Sequence, residues 1–177
     1  MSPVAPSRVR LPRLSRGVVI ALAAGLAVVI AVVVVLVVTS GPSSPGEVTF
    51  AAAGSDVTAD PTVYCDVGVT DCSDPDADAV VTLAAPPGTD VAVTVPSGVA
   101  STPWQLAFTY RDADGSEQSG RSPVFAPGSR SLFTLTLPDA RAQLERVEVQ
   151  QYGAKLVQNA EGLAFSTRST WVLTVSP

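Results

Sequence analysis

From Gly17 to Val38 the chain runs for 22 residues without a charge, mostly Val, Ala, Leu and Ile. As a helix this run is about 33 Å long at ~1.5 Å per residue, matching a hydrocarbon core of about 30 Å. Valine is a mediocre helix former in water. In lipid the backbone must satisfy its own hydrogen bonds, so a transmembrane helix is expected. Arg8, Arg10, Arg13 and Arg16 precede the run, residues 1–46 hold no acid, and the next basic residue is Arg111. The positive-inside rule then predicts a cytoplasmic N-terminus and a C-terminal region outside the cell membrane.

The competing reading is a cleaved signal peptide, whose apolar region is ordinarily about 7–15 residues followed by a small-x-small site. The run here is longer, and Val37-Val38-Thr39-Ser40-Gly41 offers a poor site, which favours an uncleaved signal anchor. The expected organisation is a basic tail over 1–16, a membrane span over 17–38, a Pro/Ser/Gly linker over 39–46 and an extracytoplasmic domain over 47–177. Eight linker residues reach at most about 26 Å, which keeps the domain close to the bilayer.

Charge divides the chain in the same way. Residues 1–46 carry +4 and the whole chain −5, leaving −9 on residues 47–177. A domain so acidic repels polyanions, so nucleic acid is excluded as a partner. Histidine is absent, which removes the commonest general base and transition-metal ligand. The single Lys155 has no serine motif near it, and no carboxylate pair stands out, so no enzyme, catalytic residue, metal or cofactor is expected.

Beyond the linker the apolar period is two. Large apolar residues fall at Trp104, Leu106, Phe108 and Tyr110, and at Phe133, Leu135 and Leu137. Val91, Val93 and Val95 repeat the pattern, as do Val147 and Val149, and Phe165, Trp171, Leu173 and Val175 share one parity. Each run predicts a half-buried strand. Turn signals at 85–88, 96–98, 112–115, 126–128 and 137–139 separate them, Asp114-Gly115 being the best hairpin signal. A short helical turn near Asp139–Leu144 is the only helix expected in the domain. Seven to nine strands in this length predict an all-β, immunoglobulin-like antiparallel sandwich preceded by one transmembrane helix.

Cys65 and Cys72 lie in a compartment that permits disulfides, and the expected bridge would staple a Pro/Gly/Asp-rich loop. A redox pair is the alternative, but such pairs usually have two-residue spacing at a helix N-terminus. Asp66, Asp71, Asp74, Asp76 and Asp78 crowd this loop and its exit, making it a possible partner-facing acidic surface. A calcium loop is a poor match, because Ala79 and Ala85 stand where its glycine and closing glutamate belong. Tyr64 and Tyr152 fit no inward pattern and are candidates for surface contact.

The series Tyr64-Cys65-Asp66-Val67, Cys72, Val95-Pro96-Ser97, Pro103-Trp104-Gln105-Leu106 and Tyr110-Arg111-Asp112-Ala113-Asp114-Gly115 resembles an uncharacterised actinobacterial family of single-span envelope proteins. Val147-Glu148-Val149-Gln150 and Ser169-Thr170-Trp171 are similar too, so the likeness covers most of residues 47–177. It implies a GC-rich Gram-positive host, in keeping with ten arginines to one lysine, and brings no catalytic residue.

The expected function is a membrane-anchored, non-catalytic binding or scaffolding domain with an envelope protein as partner. The alternative is a lipid or glycolipid carrier, which would need an apolar cavity lined by Phe108, Phe133 and Trp171. Protease added to intact spheroplasts is expected to remove the chain beyond Ser40 and leave a protected N-terminal stub. A protected C-terminus, or a mature chain starting near Ser40, would refute the anchor.

Overall fold

A computed structural model describes residues 44–159 and 162–177. The expected span over 17–38 lies outside the described residues. Among the described residues no helix is long and apolar enough to cross a membrane.

The strands are β1 (Val48–Ala52), β2 (Ser55–Ala59), β3 (Val63–Tyr64), β4 (Val81–Ala84), β5 (Val91–Thr94), β6 (Trp104–Arg111), β7 (Glu117–Arg121), β8 (Leu132–Leu135), β9 (Gln143–Asn159) and β10 (Gly162–Ser176). One turn of helix, α1 (Ser97–Ala100), joins β5 to β6. Two sheets result. One is ordered β2-β1-β5-β8; the other runs β3-β10-β9-β6-β7, with β4 also beside β10. Pairing is antiparallel except between β4 and β10, where Val81 faces Leu173 in parallel register. That parallel pair departs from the purely antiparallel expectation. The chain crosses from the first sheet to the second between β2 and β3, and β4 then joins the same edge of β10.

The expected inward faces are largely observed. Phe50, Val91 and Val93 from the first sheet meet Trp104, Leu106, Val147, Val149, Trp171 and Leu173 from the second in one core. Both tryptophans are fully buried and satisfy their indole N–H groups on backbone. Trp104 Nε1 donates to the Arg130 carbonyl at 3.2 Å, and Trp171 Nε1 to the Gly46 carbonyl at 3.0 Å. Residues 44–46 therefore lie against the domain. Pro45 crosses Gly98 so closely that a β-carbon there would strike the Pro45 carbonyl.

Three further expectations fail. The described strands number ten, because the short β2 and β3 lack the long alternation that periodicity detects. Asp139 opens a non-helical turn, its carboxylate accepting from Arg141 N at 2.8 Å, and the chain then enters β9. The helix instead follows Pro96, where Val99 and Ala100 find burial. Phe165 shares the parity of Trp171 yet is half exposed. Register shifts interrupt β10 between Phe165 and Ser169, and that part of the strand lies beyond the cover of the facing sheet.

Gln151 is a buried polar residue without a sequence signal. Its Nε2 donates to the Gly98 carbonyl at 2.8 Å and to Thr102 Oγ1 at 2.8 Å, pinning α1 to β9. Trp104→Ala and Trp171→Ala are each expected to destabilise the domain by about 3–5 kcal/mol, from lost transfer energy and the cavity left behind. Urea denaturation of the two variants measures this, and midpoints at the wild-type value would show that the core is wrongly assigned.

Candidate interaction surface

β9 and β10 are much longer than their neighbours, and the excess projects as an arm. β9 pairs with β6 only as far as Gln151, opposite Trp104. β10 meets β3 only at Ser169 and Thr170. Between those limits the two strands pair with each other and, among the described residues, with no further strand, Phe165 lying opposite Leu156 and Ala164 opposite Val157. Residues 160–161 lie outside the described residues, and Gly162, opposite Asn159, has a positive φ of +125° that suits a glycine.

The arm is apolar where water can reach it. Leu163 is 72% exposed, Leu156 53%, Phe165 52% and Val157 37%. At its foot a groove of about 460 Å³ is lined by Pro103, Val124, Ala126, Pro127, Tyr152 and Phe165. Tyr152 thus does reach a surface, as its lack of an inward pattern suggested. Burial raises its phenol above the usual range, offset in part by the Arg121 charge and a hydrogen bond with Gln105. Tyr64 lies half-buried in β3, its N–H bonded to Ser73 Oγ at 3.1 Å.

Cys65 and Cys72 form a disulfide, and the loop they close braces the arm. Ala154 N donates to the Val67 carbonyl at 3.0 Å, and Cys65 N to the Arg168 carbonyl at 2.7 Å. Gly153 permits this approach: a β-carbon there would come within 2.7 Å of Val69 Cγ2. Val69 itself sits at φ +54°, a left-handed conformation that disfavours a β-branched residue. Asp66 helps hold it there. Its carboxylate accepts from Thr70 N at 2.7 Å, Thr70 Oγ1 at 2.8 Å and Asp71 N at 3.3 Å. These bonds, Thr70's first, and the nearby Arg168 charge lower the Asp66 pKa.

The five acidic residues therefore divide. Asp66 is spent inside the loop, and Asp76 accepts from Asp78 N at 2.9 Å in a local turn. Asp71, Asp74, Asp76 and Asp78 are exposed. Among the described residues no three acidic, cysteine or histidine side chains are grouped to hold a metal.

A second cleft, of about 530 Å³, opens on the outer face of the larger sheet over Ala107 and Gly120. One ion pair and one bond to a neutral amide hold its charged side chains. Arg146 Nη2 lies 2.9 Å from Glu148 Oε1, and Arg121 Nη1 donates to Gln150 Oε1 at 3.2 Å. The two clefts offer different chemistry: polar groups with one arginine in excess of the carboxylate here, and exposed apolar area at the arm.

Because folding lowers the Asp66 pKa, its contribution to stability is present above the unfolded value of about 3.9 and is lost as pH falls through the folded value. Asp66→Asn is expected to lower the melting temperature at pH 7 and to flatten its decline below about pH 4. Melting curves across that range test this, and a decline as steep as in wild type would mean that the loop bonds contribute nothing.

No curated protein and no solved structure matches the chain. Residues 41–176, which include both sheets, the disulfide loop and the arm, match the family model described as protein of unknown function (DUF2771). The chain belongs to the DUF2771 family.

Proposed function

We propose that this protein is a membrane-anchored, non-catalytic binding domain of the cell envelope, docking an apolar segment of another envelope protein in the groove at the foot of the arm. The observation that carries the reading is the groove itself, an apolar hollow of about 460 Å³ at the foot of the arm with Val124 exposed in it. Exposed apolar surface is costly to leave uncovered, and apolar grooves are a standard means of binding another chain. Within this reading the two sheets form an immunoglobulin-like sandwich, a build supported by the strand order and by β4 running parallel to the last strand. An actinobacterial envelope is its proposed setting, supported by the arginine-over-lysine bias.

The carrier alternative has less behind it. Trp171 is fully buried in a core shared by both sheets, whereas Phe108 borders the outer-face cleft, so the two do not line one open cavity. The test places a photo-crosslinking amino acid at Val124 in the groove, and separately at Thr109 in the outer-face cleft, of the full-length protein in its native membrane. Discrete protein adducts are expected from position 124 and not from 109, and Ala126→Arg is expected to abolish them. Equal adducts from both positions, or none from 124, would overturn the groove. A stoichiometric lipid co-purifying with the detergent-free domain would favour the carrier.

A further inference from the structure

Six of the seven exposed large apolar side chains among the described residues are gathered at one end of the domain. Leu156, Val157, Leu163 and Phe165 lie on the arm, Val124 lies in the groove at its foot, and Val67 lies in the disulfide loop beside it. The seventh, Leu132, begins β8 opposite Thr94. The same end receives the N-terminal chain. Gly46 is bonded to Trp171, Pro45 crosses α1, and β1 then runs away from that end.

Charge follows the same division. Residues 47–148 hold fifteen acids and five arginines, whereas residues 149–177 hold Lys155 and Arg168 against Glu161 alone. The arm itself, residues 152–168, thus carries two basic residues against one acid, while Asp66 and Asp71 stay in the disulfide loop at its base, so the projecting part of the arm brings no net negative charge to anionic headgroups.

Two lengths then coincide. From Val38, the last residue of the apolar run, to Gly46 is eight residues, at most about 26 Å of extended chain. From Trp171, at the level of Gly46, to Leu163 is also eight residues, about 26 Å of strand. A fully stretched leash lets the arm just touch the bilayer, and any slack brings the arm into it.

We propose that the arm seats Leu156, Leu163 and Phe165 in the headgroup–acyl boundary of the bilayer that holds the anchor, with Lys155 extending its charge to the headgroups. The proposal rests on the reading of residues 17–38 as a membrane span. A short apolar arm of this kind binds at the interface and does not cross, so it orients the domain and turns the groove along the membrane surface.

The test uses the full-length chain reconstituted in phosphatidylcholine–phosphatidylglycerol liposomes, with the native disulfide intact. An environment-sensitive fluorophore is placed in turn through Leu163→Cys on the arm, Ser40→Cys just past the apolar run, and Asp114→Cys at the opposite end of the domain. A quencher carried on the lipid chains is expected to remove most of the emission from positions 163 and 40 and to leave position 114 unchanged. Aqueous iodide is expected to do the reverse. In the labelled chain, Leu156→Ser with Phe165→Ser is expected to return position 163 to iodide while the melting temperature stays at the wild-type value, since both side chains are exposed. Lipid quenching kept at 40 but absent at 163 overturns the arm's seat alone. Its absence at both overturns the anchor and the seat with it. Shielding of 163 from iodide without lipid quenching means that a second copy covers the arm, which also overturns the proposal.

Discussion

The contact between Trp171 and Gly46 organises the domain more than any other. The indole lies fully buried between the sheets, and its one polar atom finds a carbonyl of the incoming chain at 3.0 Å. A buried indole N–H without a partner would cost the desolvation of that group, so the bond fixes both the ring and the strand entry. It holds residues 44–46 against α1, and Gln151 ties α1 to β9 in turn. One tryptophan thereby couples the N-terminal entry, the helix turn and the long hairpin at one end of the sheets.

The arm begins where that coupling ends. Past Gln151 the second sheet no longer covers β9, and the hairpin persists on its own cross-strand bonds. A lone two-stranded hairpin is marginal in water, so its base needs support. The disulfide loop supplies it, with Val69 packed on Gly153 and Val67 accepting from Ala154. The acidic residues conspicuous in the sequence thus include one, Asp66, whose role is to shape the brace.

Placement of the exposed apolar side chains links architecture to location. They occupy the end where the chain enters, on an arm that carries two basic residues against one acid. Under the proposed anchoring, a domain tethered there would present its most apolar end to the membrane. Its acidic turns at Asp112–Asp114 and Asp139 lie beyond the other ends of β6 and β9, across the length of the sheet.

The sequence by itself determined the all-β class, the inward faces around Trp104, Val147 and Trp171, and the disulfide pair. Those follow from period-two burial and from two cysteines close together, and both are local properties of the chain. It also displayed the apolar run over 17–38, which needs no tertiary contact to be read. Tertiary structure alone decided that Phe165, of the same parity as Trp171, faces solvent. Alternation marks two faces of a strand but does not say where the opposing sheet stops. The same limit hid the arm, since Leu156, Leu163 and Phe165 look like any strand's core residues until their neighbours are counted in space. It hid Gln151 as well: a glutamine signals nothing until α1 folds back to offer it carbonyls. Sequence carries the pattern, and burial is a property of what lies across from it.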